Sequence, residues 1–395
     1  MNITGNSKVK IVRVIGRLNI GGPSIHVVNL NKGLSSDRFE SILVTGSLNP
    51  GEGSMLDYAQ ENGVQPLTIP EMVGEASLRP RDLKALLRLY RILRVERPQI
   101  VHTHTAKAGF LGRLAARMAG IPVIIHTYHG HVLNGYYGPA KSWLLKMMER
   151  GLARITDRLV AVSVLVREDL ITYRVAPPAK ISVIPLGFDL EPFFDCESLK
   201  GEFRSELGLG EGDKLVGILG RIVPIKNHRL FLESAAQIAQ QESNVRFVIV
   251  GDGVLRSEME QYARDLWIDQ RVFFTGWRRD LPRIYADLDL LVVSSNNEGT
   301  PVSAIEAMAS GCPVVATRVG GLPDVVQDRE TGYLVPAKQP QPLAAAMLEL
   351  IRDPQRAAQM GRLAQLSVKE RFSLDRLLRD TENLYEKLLN SMGVS

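Results

Sequence analysis

Two glutamates separated by seven residues, Glu298 and Glu306, flank a junction that is typical of a strand followed by a helix. The apolar run 288–293 before them predicts a short strand, and the small and apolar residues that lead to Gly311 predict a helix. A helix start favours phosphate groups, whereas carboxylates accept hydrogen bonds from sugar hydroxyls. The pattern therefore predicts a ligand with a diphosphate and two sugars, one held by each glutamate.

The residues between the two glutamates would hold the phosphates. Thr300 suits the cap of the predicted helix, and Pro301 suits its first position. The alternative is that Glu298 only caps the helix and that Glu306 is a solvated helix residue. The apolar neighbours of Glu306 weaken this alternative, because a carboxylate on a buried helix needs a partner.

A second candidate anion site follows another predicted strand. Residues 214–220 are mostly apolar, and Arg221 and Lys226 come directly after them. An arginine can grip a diphosphate through two parallel hydrogen bonds, and a lysine supplies a point charge. The alternative is that both are exposed cations on a surface loop.

Near the N-terminus, the pair Gly21-Gly22 lies between a predicted strand (9–15) and a predicted helix (25–34). A glycine-rich turn of this kind can cradle phosphate through backbone N–H groups. The GxGxxG spacing of a dinucleotide site is missing, which disfavours a dehydrogenase.

The segment 126–131 contains three histidines. Their spacing lacks the His-Glu-x-x-His pattern and no cysteine lies nearby, so we expect no metal site there. We interpret them as polar groups at the carboxyl ends of parallel strands, where α/β proteins bind ligands. His102, His104 and His131 either face an acceptor or are satisfied polar groups. For His26 and His126 we favour the second role.

The segment EGTPVSAIEAMASGCPVVAT, which contains both glutamates, resembles the signature of the retaining glycosyltransferases of family 4, also described as glycosyl transferases group 1. Three further motifs match this family in order along the chain: Gly21-Gly22, His129-Gly130, and Arg221 with Lys226. The resemblance covers nearly the whole chain. It implies an α/β protein of the GT-B fold, with two Rossmann-like doubly wound domains facing a cleft.

The resemblance also implies a role for each matching residue. His129 would position the donor sugar, Arg221 and Lys226 would bind the leaving diphosphate, and Glu298 would hold sugar hydroxyls, and these four form the expected catalytic set. The residues expected to bind the nucleotide sugar are Gly21, Gly22, Gly299, Thr300, Pro301, Val302, Glu306 (on the ribose) and Trp277 (near the base). Family members are generally metal-independent, so we expect no metal or other cofactor.

A length of 395 residues suits two domains. The segment 185–193 is rich in Pro and Gly and predicts a hinge. We therefore expect an acceptor-side N-terminal domain over residues 1–187 and a nucleotide-sugar-binding domain over residues 188–372. The GT-B resemblance implies that the last helix, within residues 373–395, crosses back to the first domain.

The charge of the chain is uneven. Residues 1–190 carry 24 Lys+Arg and 14 Asp+Glu, a balance of +10, whereas the remainder carries 24 and 29, a balance of −5. A basic first half suits an anionic partner such as a membrane surface or a lipid diphosphate, although unlike halves are also ordinary in two-domain proteins. The predicted basic amphipathic helix 139–155 is typical either of membrane contact or of a packed helix with a solvated face.

Neither a signal region nor a run long enough to span a membrane is apparent, and two cysteines give no disulfide framework. We therefore expect a cytoplasmic protein that either stays in solution or contacts the inner membrane face. We expect no nucleic-acid partner.

These observations predict an enzyme that moves a hexosyl or N-acetylhexosaminyl group from a nucleotide sugar with retention of configuration. A UDP-sugar is the expected donor, because it is the commonest in the family, and GDP-sugars stay open. A lipid-linked glycan in surface polysaccharide biosynthesis suits the basic first domain, and a soluble small acceptor fits the same catalytic residues. The alternatives are a non-hydrolysing UDP-sugar epimerase of the same architecture and a non-enzymatic sugar-binding protein.

Overall fold

The computed structural model describes residues 8–34, 38–49, 52–73, 79–130, 138–210 and 212–393. The chain forms two compact units, Met1–Phe188 together with Leu374–Ser395, and Asp189–Ser373. Each unit is built on one parallel β-sheet whose strands alternate with helices along the chain. The class is α/β, as the alternating pattern of the sequence predicts.

Within its described residues, the first unit contains seven strands and six α-helices before the chain enters the second unit. The strands are β1 (Val9–Ile15), β2 (Phe39–Ser47), β3 (Leu67–Val73), β4 (Ile100–His104), β5 (Val123–Tyr128), β6 (Arg158–Ala161) and β7 (Ile181–Val183). The helices are α1 (Gly22–Gly33), α2 (Leu56–Glu61), α3 (Arg81–Glu96), α4 (Ala106–Ala119), α5 (Pro139–Arg154) and α6 (Val164–Thr172). The strand order across the sheet is β3-β2-β1-β4-β5-β6-β7.

The part of the second unit that the structure describes contains six strands, β8 (Lys214–Leu219), β9 (Val245–Val250), β10 (Val272–Gly276), β11 (Leu290–Val293), β12 (Val314–Thr317) and β13 (Gly332–Val335). Its α-helices are α7 (Glu191–Phe194), α8 (Glu202–Glu206), α9 (His228–Ala239), α10 (Arg256–Asp265), α11 (Leu281–Asp287), α12 (Val302–Ala309), α13 (Leu322–Val325), α14 (Pro340–Arg352) and α15 (Pro354–Phe372). The strand order is β10-β9-β8-β11-β12-β13. The last helix, α16 (Leu374–Met392), belongs to the first unit.

Both sheets reverse their strand order at one position, between β1 and β4 in the first unit and between β8 and β11 in the second. The loops that leave the carboxyl ends of two such neighbouring strands run to opposite sides of the sheet. They therefore leave a crevice between them, which is where open α/β sheets bind ligands. In each unit, one pair of loops therefore borders the crevice where a ligand is expected to bind.

Helices cover both faces of the first sheet, so its strands are nearly continuous apolar runs. Ile11 of β1 points to the side on which α16 packs with Leu377 and Leu384. Its neighbour Val12 points to the side covered by α3 and α4, where it packs with Leu89. Because successive strand residues face opposite sides, one strand anchors both layers.

Two helices begin at other residues than predicted. Helix α1 begins at Gly22 rather than at residue 25, because Pro23 in its first turn has a backbone angle that suits a helix start. Helix α12 begins at Val302, and Pro301 takes the cap position without a side-chain capping bond. The predictions of a Thr300 cap and of Pro301 as the first helical residue are therefore wrong.

Over the described residues, no helix combines the length and the apolar character needed to cross a bilayer.

Candidate active site

The carboxyl edge of the second sheet brings two of the predicted catalytic residues into direct contact. Lys226 ends a single 3₁₀ turn after β8, and Glu298 lies in the loop after β11. The Lys226 Nζ lies 2.6 Å from Glu298 Oε1, and their side chains are 24% and 9% exposed. The Lys226 ammonium group is predicted to bind the diphosphate, and the Glu298 carboxylate is predicted to bind a sugar. In the free chain these two groups form an ion pair with each other.

Two serines that were not among the predicted site residues form hydrogen bonds to the same two loops. Ser295 Oγ donates to the same Glu298 Oε1 at 2.6 Å. Ser294 Oγ lies 3.1 Å from the carbonyl oxygen of Lys226 and 3.0 Å from that of Asn227, so it joins the two loops. The signal was present in the sequence as two hydroxyl residues directly after an apolar strand.

A shallow opening to solvent lies at this edge and includes Lys226, Glu298 and Ser295 in its lining. Arg221 follows β8 in the same loop and is exposed. No described residue forms a hydrogen bond or an ion pair with its guanidinium. The guanidinium is therefore free to bind an anion.

Glu306 projects from α12 and has a specific partner. Tyr285 on α11 donates its hydroxyl to Glu306 Oε2 at 3.0 Å. Burial raises the pKa of Glu306 to about 7, and the bond from Tyr285 offsets this only in part. The expectation that this carboxylate needs a partner is met, and its charge changes close to neutral pH.

One turn made of two adjacent glycines creates the space for these loops. A Cβ on Gly320 would lie 2.0 Å from the carbonyl oxygen of Glu298, and one on Gly321 would lie 2.0 Å from that of Gly299. The Gly321 N–H donates to the Glu298 carbonyl at 2.9 Å. The turn at residues 320–321 therefore supports the backbone on which Glu298 and Gly299 sit, a role the sequence did not reveal.

Trp277 follows the edge strand β10 and is half exposed. Strand β9 separates β10 from β8. The interpretation of Trp277 as a neighbour of the base stays a prediction, as do the phosphate roles of Thr300, Pro301 and Val302.

The triplet Asp287-Leu288-Asp289 has the Asp-x-Asp spacing with which some glycosyltransferases hold a metal. Asp287 accepts hydrogen bonds from the backbone N–H groups of Gly201, Phe203 and Arg204 at 2.5, 2.8 and 2.9 Å. Asp289 accepts from the Leu215 N–H at 2.8 Å and pairs with Lys214 and Arg204. Both carboxylates therefore serve the fold.

The first unit presents its own candidate residues at the corresponding edge of its sheet. Gly21 precedes α1 with φ of 153°, a conformation that favours glycine, and the first turn of α1 contains no acidic residue. His129 follows β5, and its Nε2 lies 3.1 Å from Nδ1 of His104. Burial lowers the pKa of His129 to about 3, so the ring is neutral at pH 7. A neutral imidazole can exchange hydrogen bonds with a sugar hydroxyl.

Two of the histidines have hydrogen-bond partners on neighbouring elements of the first unit. His102 lies 2.6 Å from the hydroxyl of Tyr385 on α16 and 2.7 Å from Thr127 Oγ1, and His126 lies 2.8 Å from Thr103 Oγ1. These two are satisfied polar groups. His131 lies outside the described residues.

Comparisons with known proteins agree with this arrangement. The profile described as Glycosyl transferases group 1 matches residues 200–366, and the profile described as Glycosyltransferase Family 4 matches residues 20–192. An Escherichia coli protein named UDP-Gal:alpha-D-GlcNAc-diphosphoundecaprenol alpha-1,3-galactosyltransferase is 34% identical over 287 residues, which cover 72% of this chain and 73% of that one. The chain belongs to the family 4, group 1 glycosyltransferases.

One further relative and two solved structures are also similar to this glycosyltransferase. The D-inositol 3-phosphate glycosyltransferase of Segniliparus rotundus is 33% identical over 290 residues, which cover 70% of this chain and 63% of that one. The crystal structure of Anabaena HepE with UDP and glucose has a TM-score of 0.79 at 21% identity and covers 96% of this chain and 99% of that one. Sucrose-phosphate synthase from Thermosynechococcus elongatus has a TM-score of 0.81 at 22% identity, with coverage of 97% and 100%. The predicted GT-B fold is confirmed.

The buried carboxyl of Glu306 predicts a pH-dependent stability. Its folded pKa of about 7 lies above the ordinary value of 4.5, so between these values the folded chain holds a proton that the unfolded chain releases. This contribution is fully present below pH 4.5 and is lost as the pH rises through 7. We expect Glu306→Gln to gain ~1–3 kcal/mol relative to wild type between pH 5 and pH 8.

Chemical denaturation at both pH values measures this difference. Glu258→Gln, at an exposed glutamate of α10, is the matched control. An unchanged difference between wild type and Glu306→Gln at the two pH values would show that Glu306 does not titrate in this window.

Proposed function

We propose that this glycosyltransferase transfers a hexose or N-acetylhexosamine from a UDP-sugar, with retention of configuration, to a lipid-linked glycan during surface polysaccharide assembly. The observation that carries the proposal is the Lys226–Glu298 contact at the crevice of the second sheet, with Glu306 on the following helix. The named activity of the Escherichia coli relative, which uses UDP-Gal and a diphosphoundecaprenol-linked acceptor, supports the choice of donor and acceptor.

The Lys226–Glu298 pair suits an exchange of partners when the donor binds. The sugar hydroxyls of the donor would donate to Glu298, and its diphosphate would attract Lys226, so each charged group replaces one partner with another. The Lys226 side chain is only 24% exposed, so its interaction with phosphate is screened less than that of a surface lysine. The Glu298 side chain is 9% exposed, so its carboxylate is largely removed from bulk water before the donor binds.

Charge develops on the leaving diphosphate as the sugar–oxygen bond breaks. Lys226 and the free guanidinium of Arg221 would stabilise that charge, and stabilisation of this kind is often the largest single contribution to enzymatic rate. Glu298 would fix the donor sugar, and Glu306 in its ionised form would accept from ribose hydroxyls. The neutral ring of His129 would hold a hydroxyl of the reacting sugar.

Transfer would proceed without a metal ion. The Asp-x-Asp triplet at 287–289 supports this part of the proposal, because its carboxylates bind backbone N–H groups and the side chains of Arg204 and Lys214. The two cations near the crevice, Arg221 and Lys226, would supply the positive charge that a divalent ion supplies elsewhere.

A lipid-linked acceptor requires access to a membrane surface, and α5 offers a suitable face. Trp143 and Leu144 are 64% and 61% exposed, and Met147 is also exposed. The other side of α5 is fixed, because the buried Glu149 accepts from Arg113 at 2.9 Å and from Tyr128 at 2.5 Å. An anchored helix with exposed Trp and Leu and with basic residues in the same turns fits the interfacial region of an anionic bilayer.

The proposal is tested by incubating the enzyme with UDP-sugars and a diphosphate-linked lipid acceptor in the presence of EDTA. We expect a product whose new linkage has the α configuration of the donor, identified by proton NMR. A β-linked product would overturn retention, and loss of activity in EDTA would overturn metal independence. Conversion of the UDP-sugar without acceptor would favour the epimerase alternative.

Removal of the Lys226 ammonium tests its role on the leaving group. We expect Lys226→Ala to lower kcat about 10²-fold or more, the effect typical of losing one charge-stabilising donor. The matched control is Arg229→Ala, because Arg229 lies three residues away on α9 and its side chain is 57% exposed. Steady-state kinetics with a soluble acceptor analogue provide the measurement. An equal kcat in the two variants would contradict the assignment.

The exposed face of α5 predicts binding to anionic membranes. We expect the double change Trp143→Ser and Leu144→Ser to lower partitioning onto phosphatidylglycerol vesicles ~tenfold or more, because each apolar side chain contributes about 1.5–3 kcal/mol when buried. Flotation of vesicles measures the bound fraction. Trp267→Ser is the control, since Trp267 is 92% exposed but lies in the other unit. Similar losses in both variants would contradict a specific α5 face.

A further inference from the structure

Three histidines from different parts of the first unit meet at the carboxyl edge of its sheet. His26 lies on α1, His104 ends β4, and His129 follows β5. The ring of His129 lies 5.0 Å from that of His26 and 5.3 Å from that of His104, measured between centroids. Each residue offers one ring nitrogen such that the three nitrogens lie within 4.8 Å of one another.

These histidines differ from their neighbours in leaving buried nitrogens unsatisfied. His26 Nδ1, His104 Nε2 and His129 Nδ1 are buried and have no hydrogen-bond partner among the described residues. His102 and His126, on the same two strands, bond to Tyr385, Thr127 and Thr103. A buried polar group without a partner costs about 1–3 kcal/mol, and three at one place indicate that the set is shaped for something else.

The chemical type of the three ligands determines which class of metal they can bind. The set contains three imidazole nitrogens and no carboxylate. Arg13 and Arg376 place positive charge near His26. Hard cations such as Mg²⁺ need oxygen ligands, whereas Zn²⁺, Co²⁺ and Ni²⁺ bind imidazole well. The set therefore excludes magnesium and favours a transition metal.

The spacing of the nitrogens is close to that of a tetrahedral site. Zn–N bonds of about 2.0–2.1 Å place two nitrogens on a tetrahedron ~3.3–3.4 Å apart. His104 Nδ1 and His129 Nε2 lie 3.1 Å apart, where they share one hydrogen bond. A metal bound to both nitrogens would replace this bond, and one ring would change tautomer so that the remaining protons sit on His104 Nε2 and His129 Nδ1. A nitrogen of His26 would be the third ligand, and a fourth position is left for water.

We propose that His26, His104 and His129 form a binding site for a divalent transition metal of the Zn²⁺ class. The metal has no part in the proposed transfer step, although its ligand His129 belongs to the proposed donor site. Because one ligand is His129, a bound metal withdraws that ring from the donor sugar and inhibits transfer. This consequence, unlike the site itself, rests on the proposed function.

Isothermal titration of Zn²⁺ into the full chain at pH 7.5 tests the site without any activity measurement. We expect one Zn²⁺ per chain and no heat from Mg²⁺. His26→Ala and His104→Ala should each weaken Zn²⁺ binding at least ~tenfold, because loss of even a residue that only orients a ligand costs this much. His126→Asn is the matched control, since the amide can keep the contact with Thr103. Unchanged binding in both alanine variants would overturn the site.

Co²⁺ provides a second readout on the wild-type protein, so the test does not depend on whether the variants fold. We expect the intense visible absorption of tetrahedral Co²⁺, removed by added Zn²⁺. A weak octahedral spectrum would overturn the proposed geometry. In the transfer assay, Zn²⁺ should inhibit wild type and His126→Asn. Binding of Zn²⁺ at the three histidines without inhibition would leave the site standing and overturn both the inhibition and the role of His129.

Discussion

The ion pair between Lys226 and Glu298 joins the two loops that leave the second sheet where its strand order reverses. That reversal separates the chain segments after β8 and β11, and the pair holds them together across the resulting crevice. Ser295 donates to the same carboxylate oxygen, and Ser294 bonds to the backbone of the Lys226 loop. The arrangement fixes two opposite charges close together before any substrate is present.

Preorganisation of this kind depends on backbone as much as on side chains. Gly320 and Gly321 allow a turn to approach the Glu298 loop so closely that no Cβ could be accommodated. On the other side of the crevice, a Cβ on Gly251 would lie 2.0 Å from the carbonyl oxygen of Gly220, just before Arg221. Each charged loop is therefore backed by a glycine turn from the next part of the sheet. Such backing limits the movement of the loops without using any of the groups that a ligand needs.

The sequence alone was sufficient for the architecture. Runs such as Val9–Ile15 and Val245–Val250 are apolar on both faces, which is characteristic of strands in a buried parallel sheet, and the helices between them follow from their own periodicity. Residues of the four motifs fall in the loops at the carboxyl ends of these strands, and the chemical roles assigned to them stay predictions. The contact between Lys226 and Glu298 joins segments 72 residues apart and needed the fold to become visible.

What the sequence could not provide were partners from distant elements. Nothing local connects Tyr285 to Glu306, yet that bond and the burial around it set the charge of the carboxyl. The cap of α12 was wrongly predicted, because the preference of Thr for caps is a local tendency that the path of this loop overrides. Likewise, His26 belongs with His104 and His129 only because α1 packs at the edge where β4 and β5 end.

The most direct test of the account is calorimetric titration of the free enzyme with UDP, GDP, ADP and NAD in EDTA, repeated on Glu298→Gln. The account predicts that UDP binds most tightly and without metal, because it assigns the crevice beside Lys226, Arg221 and Glu306 to a nucleoside diphosphate. It also predicts that Glu298→Gln retains UDP binding, since that carboxylate is reserved for the sugar and its removal frees Lys226 for phosphate. Binding of NAD with no binding of nucleoside diphosphates would contradict the assignment of this crevice.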